Sequence, residues 1–142
     1  MEKSNEKKKI TEVKTFSVPW DLEAITEHIS ISTHSPSKPS KEQIINQAFK
    51  FHSQGNLSEA TKYYQLFINQ GFKDHRVFSN YGVILKDLGK LEEAEISYRK
   101  AIELKPDLAL AHSNLGSILK DLGNLQEAEL STRKAIELNP NS

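Results

Sequence analysis

The sequence contains no cysteine, so neither a disulfide framework nor a thiolate metal site is open to it, and its redox compartment stays undecided. It also lacks net charge, because 19 lysines and arginines balance 19 aspartates and glutamates. A neutral chain has no field to concentrate phosphate backbones or anionic lipid, which speaks against nucleic acid and membrane surfaces as main partners. No apolar run approaches the ~20 residues of a membrane helix. The opening MEKSNEKKKITEVK is charged throughout and lacks the apolar core of a secretory signal. A soluble, cytoplasmic chain is the expectation. Signatures of catalysis are as scarce: there is no glycine-rich phosphate loop and no nucleophile elbow. The histidines His28, His34, His52, His75 and His112 include no pair at i, i+4, and no carboxylates cluster into a metal site. No enzyme activity, metal or cofactor is expected.

What the sequence does have is repetition. ILKDLGKLEEAEISYRKAIELKP, from Ile84 to Pro106, returns as ILKDLGNLQEAELSTRKAIELNP, from Ile118 to Pro140, displaced by 34 residues. That period divides the second half of the chain into residues 75–108 and 109–142. One period earlier, residues 41–74 form a worn third copy, in which NQAFKFHSQGNLSEATKYY keeps the glycine, the following leucine and the Glu-Ala pair. Three units are about the minimum for a repeat array to bury a continuous core.

Each unit reads as two helices. Phe78, Tyr81, Gly82 and Leu85 recur at helical spacing, and Leu91, Ala94, Tyr98, Ala101 and Ile102 make the apolar stripe of a second helix. Pro106 ends it, having no amide proton and a ring that blocks continuation. Gly55, Gly89 and Gly123 fall in the turn between paired helices. At the front, Ser40-Lys41-Glu42-Gln43 fits a capping box, behind the proline-and-serine connector SPSKPS. The domain boundary is placed there. Residues 1–40 form a leader, expected to be mostly unstructured at its Lys/Glu-rich start. Within it VPWDLEAITEHI reads as a helix and ISIST as a short strand. The segment 16–31, with Phe16 and Trp20, is a candidate cover for the leading face of the first unit.

Tyr81-Gly82, Gly89, Ala94, Tyr98, Ala101 and Pro106, followed by Leu115-Gly116, Gly123, Ala128, Ala135 and Pro140, resemble the pattern of the tetratricopeptide repeat. The resemblance implies an all-α, right-handed superhelical solenoid of three helix-turn-helix repeats, 41–74, 75–108 and 109–142. It departs at Phe67 and Phe72, where a small residue and a proline belong, and at Thr132, where an aromatic belongs. The first unit should therefore pack more loosely or differently. The stretch AHSNLGSILKDLGNLQEAE is also similar to the repeats preceding the catalytic domain of O-linked N-acetylglucosamine transferases, and bacterial proteins with similar repeats often carry a transferase domain after them.

In this family the first helix of each pair lines the inner face and the sixth position of the unit points into it. Here that position is Asn46, Asn80 and Asn114. A carboxamide both donates and accepts, so a column of them can pair with the backbone of an extended peptide whatever its side chains. The competing reading holds these asparagines for helix packing or solubility. Lys86 and Lys120 repeat at the ends of the first helices and are candidates for the groove rim, against the plainer role of a solvated face. The carboxylate clamp by which family members hold acidic chaperone tails would need cations at Ile45, Ser79, Ser113, Phe49, Val83 or Ser117, and none is basic. His112 is assigned to packing or surface.

The expected function is a non-catalytic protein-interaction module binding an extended peptide or partner protein in its concave groove. The alternative is a substrate-recognition leader of a transferase whose catalytic part is absent from this chain. Helical-repeat RNA binding is opposed by the neutral charge. The helix from Leu125 onward should leave an apolar strip with Leu125, Ala128, Ala135 and Ile136, so self-association through that uncapped repeat is expected, or a chain truncated from a longer array.

Overall fold

A computed structural model describes residues 37–141 of the chain, and the expectations about the leader's first 36 residues lie outside them. Among the described residues the elements are six helices and no strand: α1 Lys41–Ser53, α2 Leu57–Asn69, α3 His75–Asp87, α4 Leu91–Leu104, α5 Ala109–Asp121 and α6 Leu125–Leu138. They pair as α1–α2, α3–α4 and α5–α6, one hairpin to each unit, in the all-α solenoid that the periodicity implied.

The local signals explain the boundaries. Ser40 Oγ accepts from the Gln43 amide at 3.2 Å while the Ser40 amide donates to Gln43 Oε1 at 2.8 Å, so both halves of the capping box form and α1 starts at Lys41. Gly55, Gly89 and Gly123 have φ of 76°, 78° and 87° in the three intra-unit turns. Helix α4 stops at Leu104, two residues before Pro106. His112 finds a specific place here. Its Nε2 lies 2.9 Å from the Pro106 carbonyl oxygen, so it must carry the proton and donate, tying α5 to the connector before it.

The first unit solves its missing proline differently. Gly71, at φ 82°, takes the left-handed position after α2. Its amide donates to the Ile68 carbonyl at 3.0 Å and the Phe72 amide to the Phe67 carbonyl at 3.3 Å, closing the helix in the Schellman arrangement. The hydrophobic contact that accompanies this motif is made by the two residues that break the repeat pattern: the Phe67 and Phe72 rings sit 5.4 Å apart. They are one coupled replacement of the proline turn.

The core falls into two clusters that meet at α3. Ile44, Ile45, Tyr63, Tyr64, Phe67, Val77 and Ile84 make the first, and Leu85, Tyr98, Leu115, Ile118 and Leu119 the second. Tyr81 packs against both. Polar bonds reinforce each junction. Gln65 Nε2 donates to the Tyr81 hydroxyl at 3.0 Å between the first two units, and Arg99 Nη2 reaches Glu127 Oε2 at 2.7 Å between the second and third. The latter is a surface pair contributing at most about 1 kcal/mol, so apolar burial carries the stacking.

Within the middle hairpin the approach of α3 to α4 requires glycine at position 82. A β-carbon there would lie 2.9 Å from Cε2 and Cζ of the Tyr98 ring, which is itself 1% exposed. Gly82→Ala should therefore destabilise the fold. Overpacking costs about 1–3 kcal/mol, against a helix-propensity gain of roughly 1 kcal/mol. A melting temperature lowered by several degrees is the expected result in a circular dichroism scan.

Candidate functional site

A cleft of about 280 Å³ opens between the first helices of the second and third units. Asn80 and Val83 from α3 face Ala111 and Asn114 from α5 across it, with Tyr98 of α4 between them. Helix spacing explains the convergence: Asn80 and Asn114 occupy the same place in consecutive units, so stacking sets their side chains side by side. Phe49 of α1 and Arg76 of α3 close one end, the guanidinium carbon 5.4 Å from the centre of the phenyl ring. Arg76 is the one arginine or lysine lining the cleft, and it is already occupied. Its Nε and Nη2 donate to the two carboxylate oxygens of Asp74 at 3.0 and 2.8 Å. That pairing holds the Asp74 carboxyl below its ordinary range, the hydrogen bonds outweighing partial burial.

The asparagines have neighbours that the sequence reading did not foresee. Asn80 interacts with the Tyr64 hydroxyl and Asn114 approaches the Tyr98 hydroxyl, in each case a tyrosine from the second helix of the preceding unit. Tyr64 also bonds His52 Nδ1 at 2.8 Å. The Tyr98 oxygen is buried and has no partner of hydrogen-bonding geometry. A signal was available: Tyr64 and Tyr98 are one period apart, as are Asn80 and Asn114. The third unit breaks the series at Thr132, whose hydroxyl turns back to the Ala128 carbonyl at 2.9 Å.

The other candidates are placed elsewhere. Asn46 is exposed on α1 and does not line this cleft. Lys86 is half-buried in the last turn of α3. Lys120 lines a separate hollow on the far side of the third unit. The structure thus brings together Asn80 and Asn114 and leaves Asn46, Lys86 and Lys120 apart from them. The clamp positions Ser79 and Val83 do line the cleft. Among the described residues no group of histidines and carboxylates has the arrangement of a metal site, and no helix is long and apolar enough to cross a membrane.

Paired helices stacked at a fixed period, with an inner cleft built from their first members, define a helical-hairpin solenoid. Two family models match its second half: residues 82–123 match the one described as TPR repeat and residues 109–142 the one described as Tetratricopeptide repeat. No curated protein matches the chain. Among solved structures it is similar to the first TPR of Spaghetti (RPAP3) bound to the HSP90 peptide SRMEEVD, at 23% identity and a TM-score of 0.65, over 78% of this chain and 87% of that one. It is also similar to MamA, at 16% identity and a TM-score of 0.70, over 84% of this chain and 67% of that one. The TPR domain of Arabidopsis OM64 shares 19% identity at a TM-score of 0.65, over 72% of this chain and 84% of that one. At these identities what is shared is the fold.

Burial sets the acid–base behaviour of the tyrosines around the cleft. Tyr64 and Tyr98, with Tyr63 beside them, are each pushed up to about 12 by desolvation. For Tyr98 the charge of Asp87 adds to the rise and Asn114 opposes it. A phenol raised above its unfolded value contributes its full stability below about pH 10 and loses it as pH climbs toward about 12. The melting temperature should accordingly hold steady up to about pH 10 and then fall steeply. Tyrosinate absorbance should rise together with unfolding; ionisation of all four tyrosines near pH 10 in a still-folded chain would contradict the burial.

Proposed function

We propose that the protein is a non-catalytic interaction module, cytoplasmic in setting, that holds an extended peptide segment of a partner protein along the face of its first helices. The observation carrying this reading is the convergence of Asn80 and Asn114 on one cleft. Two carboxamides side by side can donate to and accept from successive peptide groups of an extended chain. The similar structure that holds an HSP90 peptide supports a peptide as the class of ligand. The SRMEEVD peptide itself is a poor candidate here. Ile45, Ser79, Ser113, Phe49, Val83 and Ser117 offer no cation, and Arg76 is committed to Asp74 and Phe49.

Magnitudes show what else must contribute. Each neutral hydrogen bond adds about 0.5–1.5 kcal/mol, whereas association costs several kcal/mol of lost freedom. Two asparagines alone give no stable complex. Apolar side chains of the partner must cover Leu110, which lines the cleft at 72% exposure, along with Val83 and Phe49. Asn46, Lys86 and Lys120 enter only if the peptide runs beyond the cleft along the solenoid. The second reading, a substrate-recognition leader for a transferase, is favoured by the repeat sequence AHSNLGSILKDLGNLQEAE. It uses the same cleft and the same asparagines.

A peptide array probed with the full chain tests the proposal. Peptides that bind should lose affinity by about 5- to 100-fold in the Asn80→Ala, Asn114→Ala double variant, while its melting temperature stays near that of the parent. Unaltered affinity in the folded double variant would remove the asparagines from the site. Captured peptides that all derive from substrates of one glycosyltransferase would select the second reading over the first.

A further inference from the structure

A groove of about 620 Å³ lies between α2 and α4, the second helices of the first two units, and shares no lining residue with the cleft. Phe78, Tyr81 and Leu85 of α3 make its floor, with Ile68 and Phe72 on one side and Ile96 on the other. The polar groups of the floor are already engaged. Ser97 Oγ donates to the Phe78 carbonyl at 2.7 Å, and the Tyr81 hydroxyl accepts from Gln65 at 3.0 Å. What stays open is apolar, and Ile96 is 69% exposed. At the second joint the positions of Phe72 and Phe78 hold Pro106 and His112, bonded to each other, so the two phenylalanines are a feature of the first joint.

We propose that segment 16–31 of this same chain, which precedes the described residues, docks in this groove and ties the first unit to the second while leaving the cleft free. The place where the chain enters the fold selects this occupant. Lys38 and Pro39 line a small hollow with Leu66 and Gln70 of α2, so the leader joins the fold beside the end of the helix that walls the groove. Six steps of chain lead from position 31 to position 37, about 20 Å at ~3.6 Å each. That length passes round a helix of about 10 Å diameter. So short a tether holds the segment at an effective concentration in roughly the millimolar range, above what a second copy or a free partner reaches.

Composition agrees with position. FSVPWDLEAITEHISI, residues 16–31, contains both aromatic residues of the leader, Phe16 and Trp20, together with Leu22, Ile25 and Ile29. These are the apolar groups that a dry floor can cover without stranding a polar partner. The segment also carries three carboxylates, Asp21, Glu23 and Glu27, and no lysine or arginine. The groove is rimmed by Lys73, Arg99 and Lys100 against Glu93 and Glu103. Lys73 is exposed, whereas Arg99 and Lys100 pair with glutamates of their own helix.

Trp20 is the only tryptophan of the chain, so its fluorescence reads this contact directly. In the full chain its emission should lie at shorter wavelength than that of indole in water. Acrylamide should quench it several-fold less than free tryptophan, at every protein concentration. Ile96→Lys should return both readings to solvent values. Leu130→Lys is the matched control, because it makes the same change one period later, at a position 68% exposed, and should alter neither reading. Unchanged helical circular dichroism shows that each variant stays folded; should lysine at position 96 unfold the chain, Ile96→Ser reads the same contact without a charge. A solvent-exposed indole in the parent chain would overturn the proposal. So would a shielded indole indifferent to Ile96, which puts the segment on another face, or shielding that fades on dilution, which assigns it to a second copy.

Discussion

A helical hairpin has two apolar faces and can bury only one of them alone, and every later feature of this molecule follows from that shortfall. The middle unit shows the solution on both sides at once: Val77 and Ile84 point back into one cluster, Leu85 and Tyr98 forward into the other, and Tyr81 belongs to both. Repetition of sequence is how the chain guarantees that facing surfaces match. Polar bonds at the junctions fix orientation, while the burial of aliphatic and aromatic side chains provides the stabilisation.

The same requirement creates the cleft. Stacking at a constant period lines up equivalent positions of consecutive first helices, so a single asparagine in the repeat becomes a pair of carboxamides without any further design. The tyrosines behind them do double service. Both are buried packing residues, Tyr98 filling the space above Gly82, and their hydroxyls sit beside Asn80 and Asn114. Packing residues and the proposed peptide-gripping residues are interleaved here, so a change at Tyr98 would disturb the surroundings of both.

Much of this was legible in the sequence: the period delivers helix pairing and turn glycines, and the resemblance to the tetratricopeptide repeat pointed to the sixth-position asparagines. The capping box at Ser40 and the helix stop before Pro106 were readable as local chemistry. Less legible was anything that depends on departures from the repeat. Phe67 and Phe72 read separately as two defects, whereas they are two ends of one helix-terminating contact, visible only once Gly71 is known to sit at positive φ. His112 carries no signal for its bond to the Pro106 carbonyl, since the connector's path is set by the stack. Asn46 matched its two counterparts in register and differs in surroundings, because no unit precedes it among the described residues to wall off a cleft. Lys120 matched Lys86 in register, but among the described residues only Lys86 has a following unit beside it.

The two joints of the solenoid are made from different materials. Between the second and third units the connector contains Pro106, whose ring pins one torsion; between the first and second it contains Gly71, the residue with the widest backbone freedom. Across the first joint the Arg76 guanidinium lies on the Phe49 ring, beside the Gln65–Tyr81 hydrogen bond and the buried cluster that the two units share. Phe49 is also a wall of the cleft, so a change of angle at that joint would alter the width of the cleft's mouth.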